Sequence, residues 1–453
     1  MAHSRPIVAV LLISSLCMAG GCRKKNKLKR SKDVPSVVVR SPDVGTSQPS
    51  QPEQEPNNTP AKAQTIKEAA RFRIAGSLDA TPMGQSDVDY FRFLVPGDPA
   101  PVTDAAVDLR ENAAQLSLTL GSQGPHLTLS LLDEAGNAFV TFSCESGMEA
   151  TLPNVAVLPG HAYLARVKRA KSTKRKSKEP TPTGTGYILV GELGQFGPGD
   201  EHEPNDSPAT ADPVRPFSGA IERAGFLSPT RDEDWYKIPL PTFPAVLGLN
   251  LVATKGTGVT LKIVDDRGTK LGVALGNRNS EVSLRNVAIP VAASAGEPAF
   301  VFAVVRTETG QNPQDRYVLH LTLGPAEAGM EVEPNNDSTH AMAMESGSIR
   351  GYLPRGDVDV FRYKPAAGQG MRVTVMPPPR VRLVVEVSSA ADGLTLARQE
   401  AKSRKGPVVL TVPAPVPESV FIRIAPRRGH GNPNQPYSVG IATVPAGIPS
   451  DSP

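Results

Sequence analysis

The stretch Glu201-His202-Glu203-Pro204-Asn205-Asp206, answered further along by Asp232-Glu233-Asp234-Trp235-Tyr236, decides the fold of this chain because it is written three times. The glutamates before the proline, Glu55, Glu203 and Glu333, are separated by 148 and 130 residues. That period is typical of domains and too long for solenoid repeats. The other two copies occupy 53–58 with 87–91, and 331–336 with 357–361.

Each copy consists of short runs in which apolar and polar residues alternate, broken by Gly, Pro, Asn and Asp, and this pattern predicts β-strands. Leu127, Leu129 and Leu131 begin one such run, and 259–263 and 383–387 repeat it. Each copy ends in two strand-like runs, which we expect to form a hairpin. These runs are 163–167 with 187–190, 301–305 with 317–321, and 420–424 with 437–441. The predicted fold class is all-β, with three tandem, jelly-roll-like β-sandwich domains.

Gly- and Pro-rich joints at 195–200 and 324–329 set the predicted domain boundaries. The expected segments are a signal peptide at 1–21, a basic, Pro- and Ser-rich tether at 22–52, sandwiches at 53–198, 199–328 and 329–445, and a tail at 446–453.

The N-terminus predicts export and lipid anchoring. Arg5 and the apolar run 7–18 are typical of a secretory signal that is too short to span a bilayer. Ala19-Gly20-Gly21 before Cys22 resembles the lipobox of bacterial lipoproteins, although Ala19 stands where that motif usually has Leu. The alternative is an ordinary cleaved signal. Under the first interpretation, lipid on Cys22 holds the protein on the bacterial cell envelope, and Arg23 favours the outer membrane.

Cysteine usage limits the possible disulfides, and the charge distribution limits the possible binding partners. After signal removal and lipidation only Cys144 remains, so no intramolecular disulfide is expected in the mature chain. Two basic runs carry 15 positive charges, so the rest of the chain has a net charge of −11 against +4 for the whole. The first basic run, next to Cys22, is expected to contact anionic lipid head groups beside the anchor. The second basic run predicts a solvated loop. Because no aromatic residues are interleaved in the second run, nucleic acid is not a favoured partner. The runs are Arg23, Lys24, Lys25, Lys27, Lys29, Arg30 and Lys32, and Arg166, Lys168, Arg169, Lys171, Lys174, Arg175, Lys176 and Lys178.

The ordered set of motifs resembles the bacterial pre-peptidase C-terminal (PPC) domain family. After the Glu-Pro-Asn motif comes Gly-x-Leu (76–78, 225–227 and 351–353), then Asp-x-Asp with an aromatic or apolar pair, and finally a Tyr-x-Leu strand. The resemblance spans about 53–443. It implies a β-sandwich, distantly similar to the collagen-binding domains of collagenases, in which an acidic segment and an aspartate loop hold calcium. Family members usually accompany a peptidase domain, and none is recognisable here.

Calcium is the cofactor that the acidic motifs themselves suggest, since it binds carboxylate and carbonyl oxygens. The alternative is that the same residues only close turns and cap short helices. The second copy offers the strongest candidate set: Glu201, Glu203, Asn205, Asp206, Asp232 and Asp234. The weaker candidates are Glu53, Glu55, Asn57, Asp87 and Asp89 in the first copy, and Glu331, Glu333, Asn335, Asp357 and Asp359 in the third.

No catalytic motif is recognisable, and the seven histidines show no metal-ligand spacing. Cys144 has no positive neighbours in sequence, so we expect a buried thiol. We therefore predict a non-enzymatic envelope lipoprotein that binds a polymer or another envelope protein. Two alternatives stay open: an accessory subunit that presents or stabilises a secreted peptidase or other envelope enzyme, and a structural spacer.

Overall fold

A computed structural model of the chain describes residues 49–79, 87–99, 109–170, 185–292, 299–401, 403 and 406–445, and these are nearly all β. The signal peptide, Cys22, the first basic run and the tail lie outside the described residues. The helical segments that are described are 3-10 turns at Pro60–Lys62, Leu109–Asn112 and Arg427–Gly429. No described helix has the length and apolarity that a bilayer-spanning segment requires. The prediction of an all-β sandwich fold is confirmed.

The first pair of sheets is built from ten strands. They are β1 (Gln51–Pro52), β2 (Gln64–Thr65), β3 (Arg71–Ser77), β4 (Val88–Leu94), β5 (Ala114–Ser122), β6 (Leu127–Leu132), β7 (Ala138–Cys144), β8 (Glu149–Val157), β9 (Ala162–Arg169) and β10 (Gly186–Gln195). The sheet orders are β1-β3-β10-β5-β8 and β2-β4-β9-β6-β7.

The second pair is built from β11 (Asp212–Pro213), β12 (Gly219–Leu227), β13 (Glu233–Pro239), β14 (Ala245–Val252), β15 (Gly258–Asp265), β16 (Lys270–Leu275), β17 (Glu281–Ile289), β18 (Phe300–Thr309) and β19 (Asn312–Gly324). The third is built from β20 (Met342–Ala343), β21 (Ser348–Leu353), β22 (Asp359–Tyr363), β23 (Gly370–Met376), β24 (Leu383–Ser389), β25 (Thr395–Glu400), β26 (Val408–Val412), β27 (Val420–Pro426) and β28 (Asn432–Val444).

All three pairs share one topology, except that β1 extends one sheet of the first pair. The second has the orders β11-β13-β18-β15-β16 and β12-β19-β14-β17, and the third has β20-β22-β27-β24-β25 and β21-β28-β23-β26. Each pair encloses its own apolar core, because alternate residues of every strand face the opposite sheet. A smaller cluster in the second pair lies outside its main core and packs around Phe302 and Trp235.

The closing strands differ from the predicted hairpins. β9 pairs with β4 and β6, whereas β10 pairs with β3 and β5, so the two strands lie in opposite sheets. β18 and β19, and β27 and β28, separate in the same way. The alternating pattern identifies a strand that has one apolar face, but either sheet can turn such a face toward the shared core.

The second basic run also differs from the predicted loop. Arg166, Lys168 and Arg169 belong to β9, where Arg166 donates a hydrogen bond of 3.2 Å to Ser130 Oγ. Arg166 and Lys168 alternate with the buried Ala165 and Val167, which is the pattern of a strand with one solvated face. Lys171 to Lys178 lie outside the described residues.

The joints between the sheet pairs carry backbone hydrogen bonds. Val155 of β8 forms a parallel bridge with Glu203, and Val287 of β17 forms the same bridge with Glu333. Both β8 and β17 are edge strands of their sheets. Each acidic motif after the first is therefore paired to the domain that precedes it.

Candidate metal centre

The Glu-Pro-Asn motif folds back onto the Asp-x-Asp motif through two local hydrogen bonds. In the second domain the Asn205 N–H donates to Glu203 Oε2 at 2.9 Å, and the Trp235 N–H donates to the Asn205 carbonyl at 3.1 Å. The first bond holds the glutamate in a tight turn, and the second ties this turn to the start of β13. The matching bonds are Asn57 N–H to Glu55 (2.8 Å) and Tyr90 N–H to Asn57 (3.1 Å) in the first domain, and Asn335 N–H to Glu333 (2.8 Å) and Val360 N–H to Asn335 (2.9 Å) in the third.

This turn brings three carboxylates together in each domain. In every group one carboxylate oxygen from each residue lies within 4.8 Å of the others. The groups are Glu53, Glu55 and Asp89; Glu203, Asp232 and Asp234; and Glu331, Glu333 and Asp359. All the potential ligand atoms in these groups are oxygens, and oxygen ligands are the ones that calcium prefers.

A buried tyrosine lies beside each group. Tyr317 Oη is 2.7 Å from Asp234 Oδ2 and 2.9 Å from Glu201 Oε2, so one hydroxyl bridges the two motifs. Tyr187 donates to Asp89 at 2.6 Å, and Tyr437 donates to Glu331 at 3.0 Å. They lie in the last strand of each domain, as Tyr-x-Leu in β10 and β19 and as Tyr-Ser-Val in β28.

The glycine of Gly-x-Leu provides the space for the first glutamate. A Cβ atom on Gly225 would lie 2.0 Å from Glu201 Oε2, and one on Gly351 would lie 2.0 Å from Glu331 Oε2. The next residue uses the same proximity, since the Phe226 N–H donates to Glu201 Oε1 at 2.6 Å. The motif is therefore a backbone cradle for a buried carboxylate.

Several buried oxygens in these groups have no protein partner. Asp89 Oδ1, Asp234 Oδ1 and Asp359 Oδ1 accept no hydrogen bond from the part of the chain that the structure describes, and neither does Asp232 Oδ1. Asp89, Asp234 and Asp359 are 0% exposed. Of the described basic side chains, none forms an ion pair with Glu203, Asp232, Asp234 or Asp359. Buried anionic oxygens without partners are costly unless a proton or a cation satisfies them, so the residues fit a divalent cation.

Burial and mutual repulsion raise the pKa of these acids. Burial, the largest cause, raises the pKa of Glu201 to about 8 and that of Asp89 to about 9. Burial and repulsion from Asp232 hold the pKa of Glu203 well above its usual range. Burial is also the main cause that raises the pKa of the other acids. It raises the pKa to about 7 in Glu333, to about 8 in Asp357, and well above the usual range in Asp232, Asp234, Glu331 and Asp359.

The predicted residues occupy unequal positions. Asn57, Asn205 and Asn335 are buried under their turns. Asn58 and Asn336 place their amide nitrogens, once oriented as donors, 2.6 and 2.8 Å from Asp87 Oδ1 and Asp357 Oδ1. Asp206 stands at the corresponding position of the second domain, where it is exposed and its side chain has no N–H to donate. Its charge adds to the burial that raises the pKa of Asp232.

Exposure separates the first group from the other two. Glu55 is exposed, whereas Glu203 and Glu333 are 3% and 8% exposed. The cover comes from the preceding domain: the Glu203 N–H donates to the Asn154 carbonyl at 3.0 Å, and the Ala156 N–H donates to the Glu203 carbonyl at 2.9 Å. The first described domain has no such neighbour among the described residues.

Two kinds of contributing residue were missed by sequence reasoning. The sequence pattern marks the tyrosines only as strand residues, and their recurrence in every copy is the signal for a shared role. Asn154 belongs to the preceding domain, yet its Nδ2 donates to Glu201 Oε1 at 2.6 Å. An Asn-Val pair at 154–155 and again at 286–287 was the available signal.

The remaining candidate groups lie elsewhere. Cys144 is fully buried, and burial raises the pKa of its thiol to about 11, which disfavours the thiolate. The centroids of the His202 and Phe196 rings lie 4.1 Å apart, and the backbone N–H of His202 donates to Asp212 Oδ2 at 2.7 Å.

No family model matches this chain, and no curated protein matches its sequence. Solved structures give weak likenesses. The PBSX exported protein XepA is 10% identical over 56% of this chain and 86% of its own, with a TM-score of 0.18. The CUB1-EGF-CUB2 domains of human MASP-1/3 are 10% identical over 50% of this chain and all of theirs, with a TM-score of 0.16. Bifidobacterium dentium beta-glucuronidase is 12% identical over 52% of this chain and 38% of its own, with a TM-score of 0.16.

Proposed function

We propose that this protein is a non-enzymatic, calcium-stabilised binding module of the bacterial cell envelope, built from three PPC-like sandwiches and held by lipid on Cys22. One observation carries the calcium assignment: each domain gathers three carboxylates within 4.8 Å, with buried oxygens that have no protein partner. Calcium bound there would neutralise carboxylates that otherwise repel one another at short range. The residues that would hold it are the three groups described above.

Binding at a distance from the membrane suits the repeated architecture. Three sandwiches with the same topology present similar edges and loops to an envelope polymer or another envelope protein. A tandem array gains avidity when several copies engage one ligand. The PPC resemblance also supports the accessory role, in which the array presents or stabilises a partner enzyme.

The joints favour a spacer as the second candidate function. Each joint combines two backbone hydrogen bonds with side-chain contacts, such as the Ser228 hydroxyl donating to the Thr151 carbonyl at 2.7 Å. Such joints would hold the domains in a defined order and set the reach of the chain.

Isothermal titration of the calcium-stripped mature chain tests the proposal. The expected result is heat from calcium binding at three sites per chain, none of which magnesium fills at the same concentration. Binding is then compared with and without calcium on insoluble peptidoglycan, polysaccharide and fibrous protein. Calcium-dependent retention on one of them supports the binding module, whereas calcium binding without retention on any favours the spacer. No calcium heat at all contradicts the metal assignment.

A further inference from the structure

The two joints repeat one pattern of backbone hydrogen bonds, in which an edge strand of one domain pairs with the second glutamate of the next acidic motif. At the first joint, the Glu203 N–H donates to the Asn154 carbonyl of β8 at 3.0 Å, and the Ala156 N–H donates to the Glu203 carbonyl at 2.9 Å. At the second, the Glu333 N–H donates to the Asn286 carbonyl at 2.9 Å, and the Ala288 N–H donates to the Glu333 carbonyl at 2.7 Å. One edge-strand pairing has therefore been used twice in this chain.

The donor strands share a bulge that contains the asparagine. β8 pairs with β5 through Leu152 and Val155, and the register shifts between them. β17 shows the same shift against β14, between Leu284 and Val287. The intervening residues are Pro153-Asn154 and Arg285-Asn286. A bulge of this kind bends an edge strand outward and re-aims its backbone groups.

The third domain lacks this donor. β26 pairs with β23 from Val408 to Val412 without a register shift. One extra residue separates Leu284 from the Asn-Val pair, whereas Leu410 is followed directly by Thr411-Val412, and Val412 pairs with Met371 as Val287 pairs with Leu247. The last sandwich therefore ends the series of donors.

The first domain keeps the acceptor, and within the residues that the structure describes no donor strand precedes it. We define the Glu55 edge as the backbone of residues 54–57. Its local bonds, Asn57 N–H to Glu55 Oε2 at 2.8 Å and Tyr90 N–H to the Asn57 carbonyl at 3.1 Å, match those of the two covered copies. Within the described residues, no backbone group pairs with the N–H or carbonyl of Glu55. An unpaired edge already in the bound conformation is a template for an added strand.

We infer that the Glu55 edge binds the edge strand of a separate β-sandwich protein that carries the same bulged Asn-Val pair. This inference rests on the proposed function as a binding module, for which it names the surface and the class of partner. A second copy of the chain does not fit, because both of its Asn-Val pairs are engaged at its own joints and its third domain has none.

The test gives the full chain an added donor. Residues 53–200 are duplicated and inserted directly before Glu53, so that the 195–200 linker of the inserted copy leads into Glu53 as the native linker leads into Glu201. A matched control inserts residues 329–445 followed by 195–200, which supplies a sandwich without the bulged Asn-Val pair. Gln54→Asn in the inserted copy gives its Glu55 peptide a different mass, and amide hydrogen exchange of the native Glu55 peptide is measured in both chains and in the unmodified chain.

The first insertion should slow exchange at Glu55 by at least about tenfold, toward the rates at Glu203 and Glu333. The control insertion should leave it unchanged. Fast exchange with both inserts, or equal protection by both, overturns the inference. Concentration-dependent dimerisation of the unmodified chain with Glu55 protected would also overturn it, since the occupant would then be a second copy. The unfolding midpoint with and without calcium, measured on the same chains, separates a failure of docking from a failure of the calcium proposal.

Discussion

The Asn154 side chain of the first domain donates a hydrogen bond of 2.6 Å to Glu201 Oε1, the carboxylate that begins the acidic motif of the second domain. Both side chains are buried, at 2% and 1% exposure. The joint and the candidate metal centre are thus physically continuous. A change in one is expected to alter the other.

Asn154→Ala should therefore destabilise the second domain. The substitution leaves a buried carboxylate oxygen short of a donor, a loss of about 1–3 kcal/mol in the free energy of unfolding. Trp235, the single tryptophan, reports that transition by fluorescence. Asn137→Ala, in an exposed turn of the first domain, is the control and should leave the Trp235 transition in place. Equal midpoints for Asn154→Ala and the native chain would mean that the joint does not support the site.

Gly225→Ala should displace Glu201. The new methyl group would meet Glu201 Oε2 at 2.0 Å, and overpacking of this kind costs about 1–3 kcal/mol. The expected outcome is a lower Trp235 midpoint together with weaker calcium binding by titration. Gly324→Ala lies in the same domain with no atom within 4 Å of its Cβ position, so it should change neither quantity. Normal calcium binding by Gly225→Ala would mean that the position of Glu201 does not support the site.

Without calcium, the stability of the second domain should fall as pH rises from 5 to 8. Burial raises the pKa of Glu201 to about 8 and holds that of Asp234 well above its usual range, whereas both groups ionise near pH 4 in the unfolded chain. In this window the folded state binds more protons than the unfolded state, so ionisation opposes folding. The expected slope is about 1.4 kcal/mol per pH unit for each such group. Chemical unfolding in chelator across this range measures it, and a stability that rises with pH would contradict the burial of these acids.

Cys22→Ala should move the protein out of the membrane fraction. The substitution removes the thiol that would carry the lipid, and the chain has no other long apolar run. Fractionation after a high-salt wash distinguishes lipid anchoring from attachment by the basic run 23–32. Persistence of Cys22→Ala in the washed membranes would contradict the lipoprotein assignment.

The sequence predicts where the strands lie better than it predicts which strands pair with each other. Period-two alternation identified β6, β15 and β24 because each buries one face, but it carried no information on which sheet receives β9 and which receives β10. The acidic motifs were visible as repeats, and the hydrogen bond between Asn205 and Trp235 joins them as their shared spacing suggested. Asn154 could not be assigned, because its contact with Glu201 depends on how two domains dock.

The most direct test of the account is the Trp235 unfolding midpoint of the mature chain in chelator and in millimolar calcium at equal ionic strength. If calcium occupies the second site, the domain gains about 2.7 kcal/mol when free calcium is one hundred times the dissociation constant. Magnesium should not reproduce the shift, and Asp234→Asn should abolish it, since that carboxylate lies within the group formed with Glu203 and Asp232. Identical midpoints in chelator and calcium would contradict the account and leave the acidic motifs as turn-forming elements of a metal-free array.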